Sequence, residues 1–73
     1  MSRLKELREK KNLTQVKIQI ETGIDQSNYS KIERGVKEPT YYECKSLAVL
    51  FKTSMDYLAG LTDTVEPYPR KKL

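Results

Sequence analysis

The side chains best suited to chemistry lie in GIDQSNYSKIERG, residues 23 to 35, a stretch bracketed by glycines. On a helical wheel of about 100° per residue, Gln26, Ser27, Ser30, Lys31 and Arg34 fall within an arc of about 140°. Asp25, Tyr29, Ile32 and Glu33 fall on the other side, with Asn28 at the border. Both acids therefore leave the polar face, Asp25 for a helix cap and Glu33 for the company of apolar residues. What remains suits the edges of base pairs. Gln can pair with adenine N6 and N7, Lys and Arg can reach guanine O6 and N7, and Ser can donate or accept. Small residues would let such a helix sit deep in a major groove, where an acid would repel phosphate. The same polarity also suits a plain solvated helix face, although a random exposed face more often mixes Glu with Lys.

Other chemistries lack their residues. The chain has no histidine, and Cys44 is its one cysteine. An internal disulfide is impossible, and a Cys/His zinc site would have at most one ligand. Ser-His and Cys-His nucleophile pairs are excluded. No catalytic residue, metal or cofactor is expected, nor is the chain expected to be an enzyme. Cys44 itself is expected to be a core thiol, since free cysteine packs as a small hydrophobe.

With 73 residues and 37% apolar side chains, one small domain with a thin core is the ceiling. The net charge of +4 is compatible with nucleic acid, an anionic membrane or an acidic partner. No apolar run approaches the ~18 residues of a spanning helix. The charged start MSRLKELREKK is unlike a signal peptide, so a cytoplasmic location is expected and a membrane partner is not.

Punctuation divides the chain into five short helices. SRLKELREKK is the first, with Ser2 as a cap and Leu4 and Leu7 spaced i, i+3. The next, QVKIQIET, carries a conflict: Val16, Ile18 and Ile20 alternate as in a strand. Thr14 before it and Gly23 after it fit a helix start and stop, and no second strand is available to pair with it. Asp25 caps a third helix over 26–34, closed by Gly35, and the loop VKEP follows. Thr40 and Glu43 have capping-box spacing for a fourth helix to about Lys52, with Tyr41, Cys44, Leu47, Ala48 and Phe51 on one face. TSMDYLAG is a short fifth helix, capped by Thr53 or Ser54 and stopped by Gly60. LTDTVEPYPRKKL has no periodicity and is expected to be a tail, which divides the chain into 1–61 and 62–73. The last residues, EPYPRKKL, suit a disordered solubilising end, a basic arm or a dimer-swapping segment. The two helices joined by TGID, with glycine in the turn, form a helix-turn-helix pattern.

The pieces LREKKNLTQ, TGIDQSNYSKIERG, EPT, LAVLF and MDYLAG, in this order and spacing, resemble the phage repressor and Cro-like (XRE-type) helix-turn-helix family over roughly residues 3 to 60. The resemblance implies an all-α, compact five-helix lambda-repressor-like domain that binds an operator in double-stranded DNA, usually as a weak homodimer, and most often represses. By position, Gln26, Ser27 and Lys31 match base-reading residues, and Asn28 and Ser30 match neighbouring contacts. Gln15, Arg34, Lys37 and, at the start of the fourth helix, Tyr41 match phosphate contacts. Arg8 and Glu33 match a structural ion pair. Met55 and Leu58 fall in the region of the two-fold contact.

The sequence departs from the family pattern at several places. Gln19 stands where the family usually has alanine, so it must snorkel out or push helices apart. Tyr29 replaces an aliphatic residue, and its hydroxyl is expected near the surface and a phosphate. Val16 and Ile20, where polar residues are usual, would form a small exposed apolar patch. A transcriptional regulator, a repressor acting by operator occupancy, is the expected function. The alternative is an antitoxin or immunity-type protein that binds a protein partner and autoregulates through DNA.

Overall fold

Local capping chemistry cuts this chain into helices. The structure, a computed structural model, describes residues 2–69, with side chains from Arg3 onward. The expected Ser2 cap lies outside the described side chains, and the basic residues 70–72 lie outside the described residues. Five helices form in order, with no strand among the described residues: α1 (Ser2–Lys10), α2 (Gln15–Thr22), α3 (Gln26–Glu33), α4 (Tyr41–Leu50) and α5 (Met55–Ala59).

Each later helix starts on the cap that supplies its orphan amides. Thr14 Oγ1 accepts from Lys17 N at 3.1 Å. Asp25 Oδ2 accepts from Ser27 N at 3.0 Å and Asn28 N at 3.3 Å. Thr40 and Glu43 close the reciprocal capping box at 3.1 and 2.8 Å. Of the two expected caps for α5, Ser54 does the work, accepting from Tyr57 N at 3.0 Å. At the end of α2, Gly23 takes φ 77° and its N–H reaches Gln19 O at 2.8 Å. A Cβ there would meet nothing within 4 Å, so the left-handed backbone selects glycine, not crowding.

QVKIQIET is a helix, and its pitch undoes the alternation. Ile18 is fully buried, while Val16 and Ile20 lie exposed on another side, 50% and 69% accessible. Leu4, Leu7, Ile18, Ile24, Tyr29, Ile32, Leu47, Ala48, Phe51 and Leu58 build one core, with Cys44 and Met55 packed partly buried against it. Each fully buried aliphatic side chain contributes ~1.5–3 kcal/mol, most of which chain entropy offsets, leaving a thin margin in so small a chain.

Three expectations need correction. Tyr41 is 64% exposed and not buried with the rest of its face of α4; it opens the first turn, beyond the core, and meets Tyr42 edge to face at 5.9 Å. Tyr29 points the other way from the surface: it is fully buried, and its hydroxyl reaches neither water nor phosphate. Of the two dimer candidates, of which one was expected to be surplus to the core, Leu58 is only 3% exposed and the core absorbs it, while Met55 stays less buried. Finally, residues 61–69 are non-helical as expected, yet they are tied to the helices. Arg3 stacks on the Tyr57 ring, donates to Thr62 O at 2.6 Å and pairs with Asp63 at 2.6 Å. Thr53 Oγ1 donates to Val65 O at 2.6 Å, and the Tyr68 hydroxyl donates to Asp56 at 2.7 Å.

Candidate nucleic-acid interface

Residues 23–25 turn the chain between α2 and α3, and two side chains finish the leading end of α3. Asp25 covers the amides of Ser27 and Asn28. Gln19 Oε1 accepts from Gln26 N at 2.8 Å. The larger side chain at 19 therefore neither pushes the helices apart nor lies idle; it stays exposed and caps the next helix. Sequence reasoning missed this role, because only the turn brings residue 19 beside residue 26.

The trailing end of α3 is anchored from inside. Arg8 and Glu33 meet through two parallel contacts, Nε to Oε2 at 2.8 Å and Nη2 to Oε1 at 3.0 Å. Their side chains are 17% and 6% exposed. Arg8 Nη1 also donates to Leu13 O at 3.0 Å, and Gln15 Nε2 reaches Glu33 Oε1 at 3.4 Å. Burial works against the Glu33 charge. The hydrogen bonds from Arg8 and Gln15, the nearby Tyr29 hydroxyl and the Arg8 charge outweigh it and hold the carboxyl below its ordinary range. The hydrogen bond to Glu33 likewise raises Arg8 above its usual value. Burial first, and then Glu33, pushes the Tyr29 phenol well up.

With its inner side so held, α3 turns a polar face outward. Gln15, Gln26, Ser27, Ser30 and Arg34 line one shallow concavity across α2 and α3. Lys31 is exposed on the same helix. No acid lines that concavity.

A helix-turn-helix family model matches residues 4–58. The chain belongs to the Cro/XRE-like helix-turn-helix family. A curated relative, the uncharacterized HTH-type transcriptional regulator YobD of Bacillus subtilis (strain 168), is 36% identical over 70 residues. The aligned part covers 96% of this chain, which spans 62% of that relative's length. No solved structure matches.

Within this helix-turn-helix domain the sequence-matched residues divide into two groups. Gln26, Ser27, Ser30, Lys31 and Arg34 share the outward side, with Gln15 beside them. Arg34 Nε leans on Ser30 O at 3.3 Å. Asn28 turns aside: its Nδ2 donates to Glu43 Oε2 at 2.5 Å, and its Oδ1 accepts from Lys37 Nζ. Tyr41 stands exposed at the first turn of α4. Glu43 was legible only as the acid of a capping box. Its second partner lies 15 residues away in sequence, so no local spacing announces it. Among the described residues, no helix is long and apolar enough to cross a membrane.

Proposed function

We propose that this chain is a sequence-specific double-stranded DNA-binding transcriptional regulator, a repressor that acts by occupying its operator. The acid-free outward face of α3, anchored from within by Arg8 and Glu33, carries this reading. The name of the Bacillus relative, an HTH-type transcriptional regulator, supports the same class. In this arrangement α3 enters the major groove and α2 crosses the backbone. Gln26, Ser27, Ser30 and Lys31 read base edges. Gln15, Arg34, Lys37 and Tyr41 hold phosphates, which fixes register without reading sequence. Residues 1–61 form the DNA-binding unit, and 62–73 are its basic, proline-containing C-terminal tail.

The chain works as a weak homodimer that tightens on a palindrome, with Met55 at the two-fold contact and half-sites ~34 Å apart. Binding titrations on a selected duplex and its scrambled counterpart, at several salt concentrations, test the reading. Lys37→Ala should weaken both duplexes about equally and flatten the salt slope by roughly one per half-site, because each protomer releases one fewer counterion. Equal affinity for both duplexes by the unaltered protein would sink the claim of sequence specificity. A 1:1 complex on a palindrome, with no second binding event, would remove the dimer.

One observation favours a second reading, an antitoxin or immunity-type protein that autoregulates through DNA. Val16 and Ile20 stand open on α2, one turn apart, and could meet a protein partner. Co-purification of a stoichiometric partner that is lost in the Val16→Ser, Ile20→Ser variant would establish it.

A further inference from the structure

The two oxygens of Glu43 have different duties. Oε1 accepts from Thr40 N at 2.8 Å and completes the capping box of α4. Oε2 accepts from Asn28 Nδ2 at 2.5 Å, and Asn28 Oδ1 accepts in turn from Lys37 Nζ. The polarity of this relay is forced. A carboxylate only accepts and an ammonium only donates, so one orientation of the Asn28 amide satisfies both neighbours. The relay joins α3, the loop after it and the first turn of α4. Lys37, on that loop, would otherwise be a long side chain free in water. The carboxyl is kept below its ordinary range by the Thr40 amide first, with the Asn28 amide and the Lys37 charge adding to it.

Simple electrostatics would make an acid here a liability, since removing a carboxylate beside a phosphate-binding surface should strengthen binding to a polyanion. We propose the opposite: Glu43 is a positioning residue for DNA binding that holds the Lys37 ammonium, through Asn28, against the leading end of α3. Lys37 then meets a phosphate without the cost of ordering a free chain. Asn28 is a strut in this relay and not a reader of bases. The inference rests on the DNA-binding reading above.

Glu43→Gln separates the two duties. Its remaining carbonyl oxygen can keep the Thr40 cap, while its amide nitrogen faces another donor at Asn28 and breaks the relay. The probe is a duplex selected from a random-sequence pool by the unaltered chain, titrated by fluorescence anisotropy. Glu43→Gln should bind it roughly two- to tenfold more weakly, despite the lost negative charge, which is the scale of ordering one long side chain. In the Lys37→Ala background the same change should cost nothing. Asn28→Leu leaves the capping box whole and should show the same dependence on Lys37, which keeps the test decisive if Glu43→Gln folds poorly. Binding by Glu43→Gln as tight as that of the unaltered chain, or tighter, would overturn the proposal. An equal loss with and without Lys37 would overturn it too. If the unaltered chain retrieves no duplex from the pool, the DNA reading itself falls, and the proposal with it.

Discussion

The two faces of α3 are built from eight consecutive residues and do opposite work. On the inner face Tyr29 and Ile32 are fully buried and Glu33 is 8% exposed. On the outer face Gln26, Ser27 and Lys31 stand in water. Lys31 and Glu33 are both charged and sit two residues apart, yet only Glu33 is locked in a paired, desolvated site. The contrast teaches that access to water decides what a charge does. A buried carboxylate with a bidentate partner is a matter of folding; an exposed ammonium is free to be spent on a ligand.

The largest effect should come from breaking the inner face. Glu33→Gln leaves the largely covered Arg8 guanidinium without its counter-charge and should destabilise the domain by about 3 kcal/mol. Chemical denaturation reads this directly, and an unchanged midpoint would mean that the pair is solvated after all. The same pair has a pH signature. The Glu33 carboxyl titrates lower in the folded chain than in the unfolded one, so its stabilisation is whole above about pH 4.5 and fades as pH falls through the depressed folded value. Glu33→Gln should therefore flatten part of the acid limb of a stability-versus-pH curve. If the two curves ran parallel, Glu33 would not be the group responsible.

The outer face should respond in the other currency. Gln26→Ala should leave the unfolding free energy within about 0.5 kcal/mol of the parent, as exposed substitutions do. Its cognate DNA affinity should drop by ~1–3 kcal/mol, with preference relaxed at one base pair. Equal losses on cognate and scrambled duplexes would turn Gln26 into a backbone contact and blur the division between the faces.

The smallest effect belongs to Tyr29. Its hydroxyl lies near the Glu33 carboxylate but has no hydrogen-bond partner in good geometry among the described residues. Tyr29→Phe keeps the ring and removes an oxygen that gains little from burial, so stability should change by less than about 1 kcal/mol. A loss of several kcal/mol would show that the hydroxyl is a working member of the Arg8–Glu33 cluster, and the inner face would have to be redrawn around it.

Much of the candidate interface was legible because a wheel needs only the helix pitch. Once 26–33 is a helix, the outward place of Gln26, Ser27 and Lys31 and the inward place of Glu33 follow. Asn28 sat at the border of that wheel, and a border residue goes wherever its neighbours outside the helix draw it. Here Glu43 and Lys37 draw it aside. Tyr41 failed for a related reason. A wheel gives a residue's angle but not where the core stops along the helix axis, so Tyr41 overshoots it.

By itself the sequence determined that there are five helices and where the later four begin. Thr14, Asp25, Thr40 and Ser54 each cap amides two or three residues ahead, and such short-range bonds need no tertiary partner. It also determined the family, through a run of motifs in order. Only the tertiary structure decided which side chains meet across the turns: Gln19 on the amide of Gln26, Glu43 on Asn28, Arg3 on Tyr57 and Asp63. It also drew residues 61–69 back onto α1 and α5, where the sequence alone suggested a free tail. These contacts depend on how the helices cross and on where the core closes. Those are properties of packed volume and excluded water, which no local spacing of residues contains.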